Sequence, residues 1–220
     1  PLLFTNQTNV SASQIKTAID AGASVQIIAD GTITQSANLS FAPASGVNVS
    51  LTYNNRSGTA QAITLTGTTT NTGLGNLTLN YLASGQIIFN GAINSTSTGK
   101  VNVVAQTSYA TNALTSCANG TCASIYSGTS GSITTKGGYV VMDTTGGTIS
   151  GAILTPGSIQ NGPIWLYAGI NTTNTGGSGS GAGGDFSLAS STSLANVSAY
   201  QPHVAVLNIG GNATFQIRSS

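Results

Sequence analysis

Glutamate is absent from this 220-residue chain, and charge of either sign is scarce: five Lys and Arg against four Asp make 4% of the residues, for a net charge of +1. Soluble domains carry roughly 25% charged residues. The cations, Lys16, Arg56, Lys100, Lys136 and Arg218, are scattered, so no basic stripe exists to neutralise phosphates, and nucleic-acid binding is not expected. No apolar run approaches the roughly 18 residues of a bilayer crossing, so no membrane span is expected. The opening PLLFTNQT lacks a basic region followed by an apolar segment, so the chain reads as already processed or excised.

The shortage extends to chemistry. Glycoside hydrolysis generally needs two carboxylates, and polysaccharide lyases need carboxylate-bound calcium or a basic proton acceptor. Only Asp20, Asp30, Asp143 and Asp185 are present. Asp20 falls at the end of a helical pattern, Asp30 and Asp143 at turn signals, and Asp185 behind a glycine-rich tract. The one histidine, His203, follows Pro202 without a serine motif or carboxylate near it. The chain is therefore read as a non-enzyme, with no cofactor and no metal site.

What is present is strand periodicity. Hydrophobic residues make up 39% of the chain, which argues for a folded protein despite the low charge. From Gly75 to Val104, Leu77 and Leu79, then Ile87 and Phe89, then Val101 and Val103 alternate with mostly polar neighbours. Only Gly, Ser, Asn and Thr separate these runs, which leaves no room for crossover helices. The chain must turn directly from strand to strand, as hairpins of a sandwich or as sides of a coil. Segments VQIIAD, VSLTYN, ITLTGT, LTLNYL, IIFNGA and VNVVAQ form a degenerate internal repeat.

One helix is predicted, over residues 13–21, with Ser11 and Gln14 spaced as a capping box and Gly22 ending it. Leu2, Leu3 and Phe4 read as an edge strand or a cap over the end of the core. Residues 106–131 read as a loop enclosing Cys117 and Cys122. An extracellular setting favours a local disulfide between them; metal binding would need more Cys or His nearby, and a redox motif two intervening residues rather than four. Residues 171–184, NTTNTGGSGSGAGG, read as a flexible surface loop that lacks the Lys and following helix of a phosphate loop. The composition does not change beyond it, so residues 1–220 are read as one domain.

Eleven of the twenty Asn head N-x-[ST] sequons: Asn6, Asn9, Asn38, Asn48, Asn55, Asn76, Asn94, Asn119, Asn171, Asn196 and Asn212. These are candidate glycosylation sites, and attached sugar would supply the solubility that charge does not. The Thr-rich stretch ITLTGTTTNT at 63–72 adds a candidate hydroxyl array for ice or glycans. A neutral, β-rich surface also has little electrostatic defence against self-association. Two readings of it stand: the surface is an assembly device, or it is sugar-coated or tethered.

The segment VSASQIKTAIDAGASVQIIADGTITQSANLSF, a short helix ending at an AG turn before a strand, resembles filamentous haemagglutinin-type exoproteins. GNLTLNYLASGQIIFNGAINSTSTGKVNVVAQ resembles that family's coil signature of LTL, an I-x-F-N-G-x-I strand and a final V-N-V strand. The resemblance covers roughly residues 9 to 105. It includes the high-molecular-weight adhesins, and it implies a right-handed parallel β-helix on a bacterial surface, exported through an outer-membrane partner.

The expected fold is all-β: such a β-helix with one short helix, the alternative being a β-sandwich, pilin-like subunit that donates residues 1–10 to its neighbour. Eight to ten coils of about twenty residues, at the strand spacing of about 4.8 Å, would make a rod on the order of 40–50 Å. The expected function is that of an extracellular, structural and adhesive cell-surface protein. Its expected partners are copies of itself in a filament or the flanking repeats of a larger exoprotein, with a host or matrix glycan as possible ligand.

Overall fold

The computed structural model describes residues 1–56, 63–107, 125–128, 130–145, 149–151, 159–160, 164–169, 197–200 and 215–218, with side chains as far as Met142. Strand β1 (Leu2–Thr5) and helix α1 (Ala12–Asp20) come first. The first coil then follows as β2 (Val25–Ala29), β3 (Ile33–Gln35) and β4 (Leu39–Phe41). The second is β5 (Asn48–Asn55), β6 (Ile63–Leu65) and β7 (Thr69–Asn71), and the third β8 (Asn76–Ala83), β9 (Ile87–Phe89) and β10 (Ile93–Ser95). A fourth comprises β11 (Val101–Thr107), β12 (Ile125–Ser127) and β13 (Ile133–Thr134), and a fifth β14 (Val140–Thr145), β15 (Ile149–Gly151) and β16 (Ile159–Gln160). Strands β17 (Ile164–Gly169), β18 (Val197–Tyr200) and β19 (Phe215–Arg218) continue the first sheet.

Like strands stack on like. The long sheet runs β1, β2, β5, β8, β11, β14, β17, β18, β19; a second sheet stacks β3, β6, β9, β12 and β15; a third stacks β4, β7, β10, β13 and β16. The described pairings are parallel. Parallel neighbours joined without helices are what a coiled chain produces, so the fold is a β-solenoid, and the antiparallel sandwich is set aside. Coil length corrects the expected twenty residues: Val25 pairs with Leu51 and Leu77 with Val101, offsets of 26 and 24. The apparent repeat mixed two sheets, because VSLTYN and LTLNYL lie in the long sheet while ITLTGT and IIFNGA begin strands of the second.

The core is a set of columns. One runs Val25, Leu51, Leu79, Val103, Val140 through successive strands of the long sheet. Leu77, Leu79, Ile87, Phe89, Val101 and Val103 are each at most 1% exposed, as the alternation predicts. Fully burying such a side chain contributes about 1.5–3 kcal/mol. Identical register repeated coil upon coil is thus the main source of stability.

Corners are polar inside as well as out. Asn71 is buried where β7 turns into β8, donating Nδ2 to the Gly75 carbonyl (3.0 Å) and accepting the Gly73 N–H (3.0 Å). Ser95 takes the same corner one coil on and donates to the Gly99 carbonyl. Backbone groups at a buried bend need such partners.

Helix α1 closes the N-terminal end by setting Ile15 and Ile19 against the core. It starts one residue earlier than predicted, and Ser11 does not cap it through its side chain: the hydroxyl faces that of Ser13 (2.7 Å). The predicted ending holds. Gly22, at φ +83°, lets its N–H reach the Ile19 carbonyl while the Ala23 N–H reaches that of Ala18. Lys16 pairs with Asp20 and donates to the Ser40 carbonyl (3.0 Å), and Asp20 accepts the Ala42 N–H (2.6 Å), fastening α1 to the first coil.

Two further expectations change. The stretch 106–131 is not one loop: β11 extends through Thr107, and Ile125 and Ser127 of β12 are buried in the core. Asp143 lies within β14, in register with Gln106, rather than at a turn. Cys117, Cys122 and the glycine-rich tract 171–184 lie outside the described residues.

Candidate functional site

Two surfaces are built regularly enough to bear function. The first is the outer face of the long sheet. Its columns run Gln26, Thr52, Asn80, Val104 and, beside it, Ser50, Thr78, Asn102. Amides and hydroxyls bond along the solenoid axis: Asn80 Nδ2 donates to Thr52 Oγ1 (3.1 Å), Asn102 Nδ2 to Thr78 Oγ1 (3.2 Å), and Asn76 Nδ2 to Asn48 Oδ1 (2.8 Å). Asn76 and Asn102 also accept the backbone N–H groups of Lys100 and Tyr139 in the next coil. These columns are thereby ordered and uncharged, while in the adjoining one Gln106 is in register with Asp143.

The second surface is the N-terminal end. Strand β1 pairs in parallel with β2, Leu2 with Val25 through Thr5 with Ile28. It is the outermost strand of its sheet, with Leu2 39% and Leu3 54% exposed. At this end residues 7–10 and the first coil line a cleft of about 210 Å³. At the cleft floor lie Gln35 and Tyr53, both buried and bonded to each other, with Gln35 Nε2 also donating to Thr69 Oγ1 (3.0 Å). Sequence reading missed this site; the signal was Gln35, a polar residue at an inward position of β3.

Among the described residues Asp20 and Asp30 serve separate contacts. Asp20 serves the helix, and Asp30 accepts from Asn6 (2.6 Å) and faces Arg56 at 3.8 Å on the exposed rim. Among the described residues no group of three or more His, Cys, Asp or Glu comes together to hold a metal. Asp185 and His203 lie outside the described residues.

The sequons divide by position. Asn6, Asn9, Asn38 and Asn48 are exposed, and Asn76 and Asn94 are half-buried. Asn55 is only 4% exposed: it donates to the Gly31 carbonyl and accepts the Ser84 hydroxyl (2.6 Å), so the folded chain offers no room for sugar there. Asn119, Asn171, Asn196 and Asn212 lie outside the described residues. The Thr-rich stretch is split as well, since Thr64 faces outward but Thr69 points into the core.

Compared with protein-family models, with curated proteins and with solved structures, the chain matches none.

Proposed function

We propose that this chain is a non-enzymatic, extracellular structural and adhesive segment of a cell-surface protein, a rod whose work is extension and contact. The observation that carries the reading is the outer face of the long sheet, where Asn and Thr side chains bond from coil to coil. A regular, rigid, neutral array of amides and hydroxyls suits broad contact with neutral hydrogen-bonding surfaces such as glycans or a second copy. It costs little in desolvation, because no charge is stripped of water. The resemblance to haemagglutinin-type exoproteins agrees with a surface location.

Self-assembly is the second reading, favoured by the unpaired outer edge of β1 and its exposed Leu2 and Leu3. Because β1 already lies against β2 of its own chain, donating it to a neighbour would require it to leave. Helix α1 also prevents another coil from stacking flush on this end.

The test combines immunogold electron microscopy of the source cells with adhesion of protein-coated beads to glycan-bearing surfaces. Surface label and adhesion that falls when Asn80→Lys and Asn102→Lys are introduced are the expected results. Label confined to the cell interior would overturn the proposal.

A further inference from the structure

The end of the core beneath α1 is only half covered. Ile27, Tyr53 and Tyr81 share one inward column, yet Tyr53 and Tyr81 are buried while Ile27 is half-buried. Ala29 is likewise half-buried where its column neighbour Asn55 is buried. Ile15 and Ile19 cover one side of the first coil, and the other side opens into the cleft lined by residues 7–10.

The cleft's size and lining narrow what it can take. At about 210 Å³ it exceeds the cavity of about 150 Å³ that accommodates a benzene ring and falls short of the roughly 300 Å³ at which drug-sized pockets begin. One ring fits. No charged side chain is among its lining residues, so nothing there repays the desolvation of an ion. The floor sets Ile27 and Ile33 beside the buried Gln35 and Tyr53, whose side chains bond to each other, whereas the rim presents Gln7, Thr8 and Asn9. Among the described residues the side chains of those three have no hydrogen-bond partner. An apolar face below and unspent amide and hydroxyl groups above match a ring with one apolar face and an equatorial belt of hydroxyls.

From this we infer that the cleft is a binding site for a neutral pyranose, as a single sugar or the terminal residue of an uncharged glycan. The apolar face of the ring rests on Ile27 and Ile33, and its hydroxyls meet the rim. This site is separate from the outer face of the long sheet, and the inference stands whether or not the chain resides on a cell surface.

The test is calorimetric titration and saturation-transfer NMR of the full chain with neutral methyl glycosides of glucose, galactose and N-acetylglucosamine. Glucuronate and benzene serve as charged and apolar controls. A one-ring ligand in a small open site is expected to bind with a Kd of about 1 mM. Ala29→Leu, which fills the cleft, is expected to weaken binding about tenfold or more with an unchanged far-UV spectrum. Asn9→Ala, on the exposed rim and unable to unfold the core, is expected to weaken it several-fold and decides the matter if Ala29→Leu misfolds. The inference is overturned if no neutral glycoside saturates the protein, if Asn9→Ala binds as well as the parent, or if glucuronate or benzene binds as tightly as the glycosides. Neither localisation nor bead adhesion enters this experiment, so either result can fail alone.

Discussion

The phenol of Tyr53 donates a 2.9 Å hydrogen bond to Oε1 of Gln35 inside the first two coils. One coil on, the ring of Tyr81 meets that of Tyr53 at a tilt of 52° with centroids 5.6 Å apart, but the residue in register with Gln35 is Leu65. Leucine offers no acceptor, and the hydroxyl of Tyr81 is buried without a partner among the described residues. The ring itself is well placed, meeting Phe89 edge-on at 5.4 Å.

Removing that orphaned hydroxyl should therefore help. Tyr81→Phe is expected to raise the unfolding free energy by about 1 kcal/mol, whereas Tyr53→Phe lowers it by about 1 kcal/mol because a satisfied bond is lost. Urea unfolding monitored by circular dichroism checks both. Equal destabilisation by the two variants would mean that Tyr81 has an acceptor after all.

The same phenols set the alkaline limit of the fold. Burial raises the pKa of both Tyr53 and Tyr81, and for Tyr81 the neighbouring Tyr53 adds to the effect. In the unfolded chain they ionise at the usual value of about 10. A raised folded-state pKa means the native state holds its protons longer, so their contribution is fully present below about pH 10 and is lost as pH rises beyond it. Their contribution is expected not to vary with pH near neutrality, and stability to fall steeply above about pH 10. Tyrosinate absorbance should show two phenols that titrate only with unfolding. Smooth titration of every tyrosine in the native state would sink the idea.

Much of the long sheet was legible because its inward residues are aliphatic or aromatic and alternate cleanly. Strands β7 and β10 were not: Thr69 and Asn71 were read as part of an outward hydroxyl array, yet they and Ser95 face inward. A polar residue at an inward strand position looks the same in sequence as one at a turn; only the backbone groups it meets at the corner distinguish them. Asn55 illustrates the same point, a sequon by pattern and a buried corner residue in fact. The cleft was illegible for another reason: it arises from a helix too short to span the end of the core, and residue order does not carry that width.

Close stacking at the corners predicts a sharp contrast between glycines. A Cβ on Gly91 would lie 2.1 Å from the Gly67 carbonyl oxygen of the coil beneath, whereas one on Gly31 would meet nothing within 4 Å. Backbone cannot swing aside as a flexible side chain does. Gly91→Ala is expected to cost about 3 kcal/mol, and Gly31→Ala to stay within about 0.5 kcal/mol of the parent. Thermal melting of the two variants checks the contrast, and similar melting temperatures would contradict the stacking.

Deleting residues 1–10 probes the role of the outermost strand. In the intact chain β1 covers the edge of β2 and buries Phe4 to 6% exposure. Without it, the edge passes to β2, whose sequence VQIIA is longer than LLFT and carries no charge to repel another strand. Loss of Phe4 alone is expected to cost about 3 kcal/mol, while α1 still packs on β2 and β4. The truncated chain should therefore fold, melt at a lower temperature and associate more strongly as concentration rises, as read by sedimentation velocity. If instead the intact protein forms filaments and the truncation abolishes them, β1 is the strand exchanged between copies. The edge would then be a connector rather than a guard.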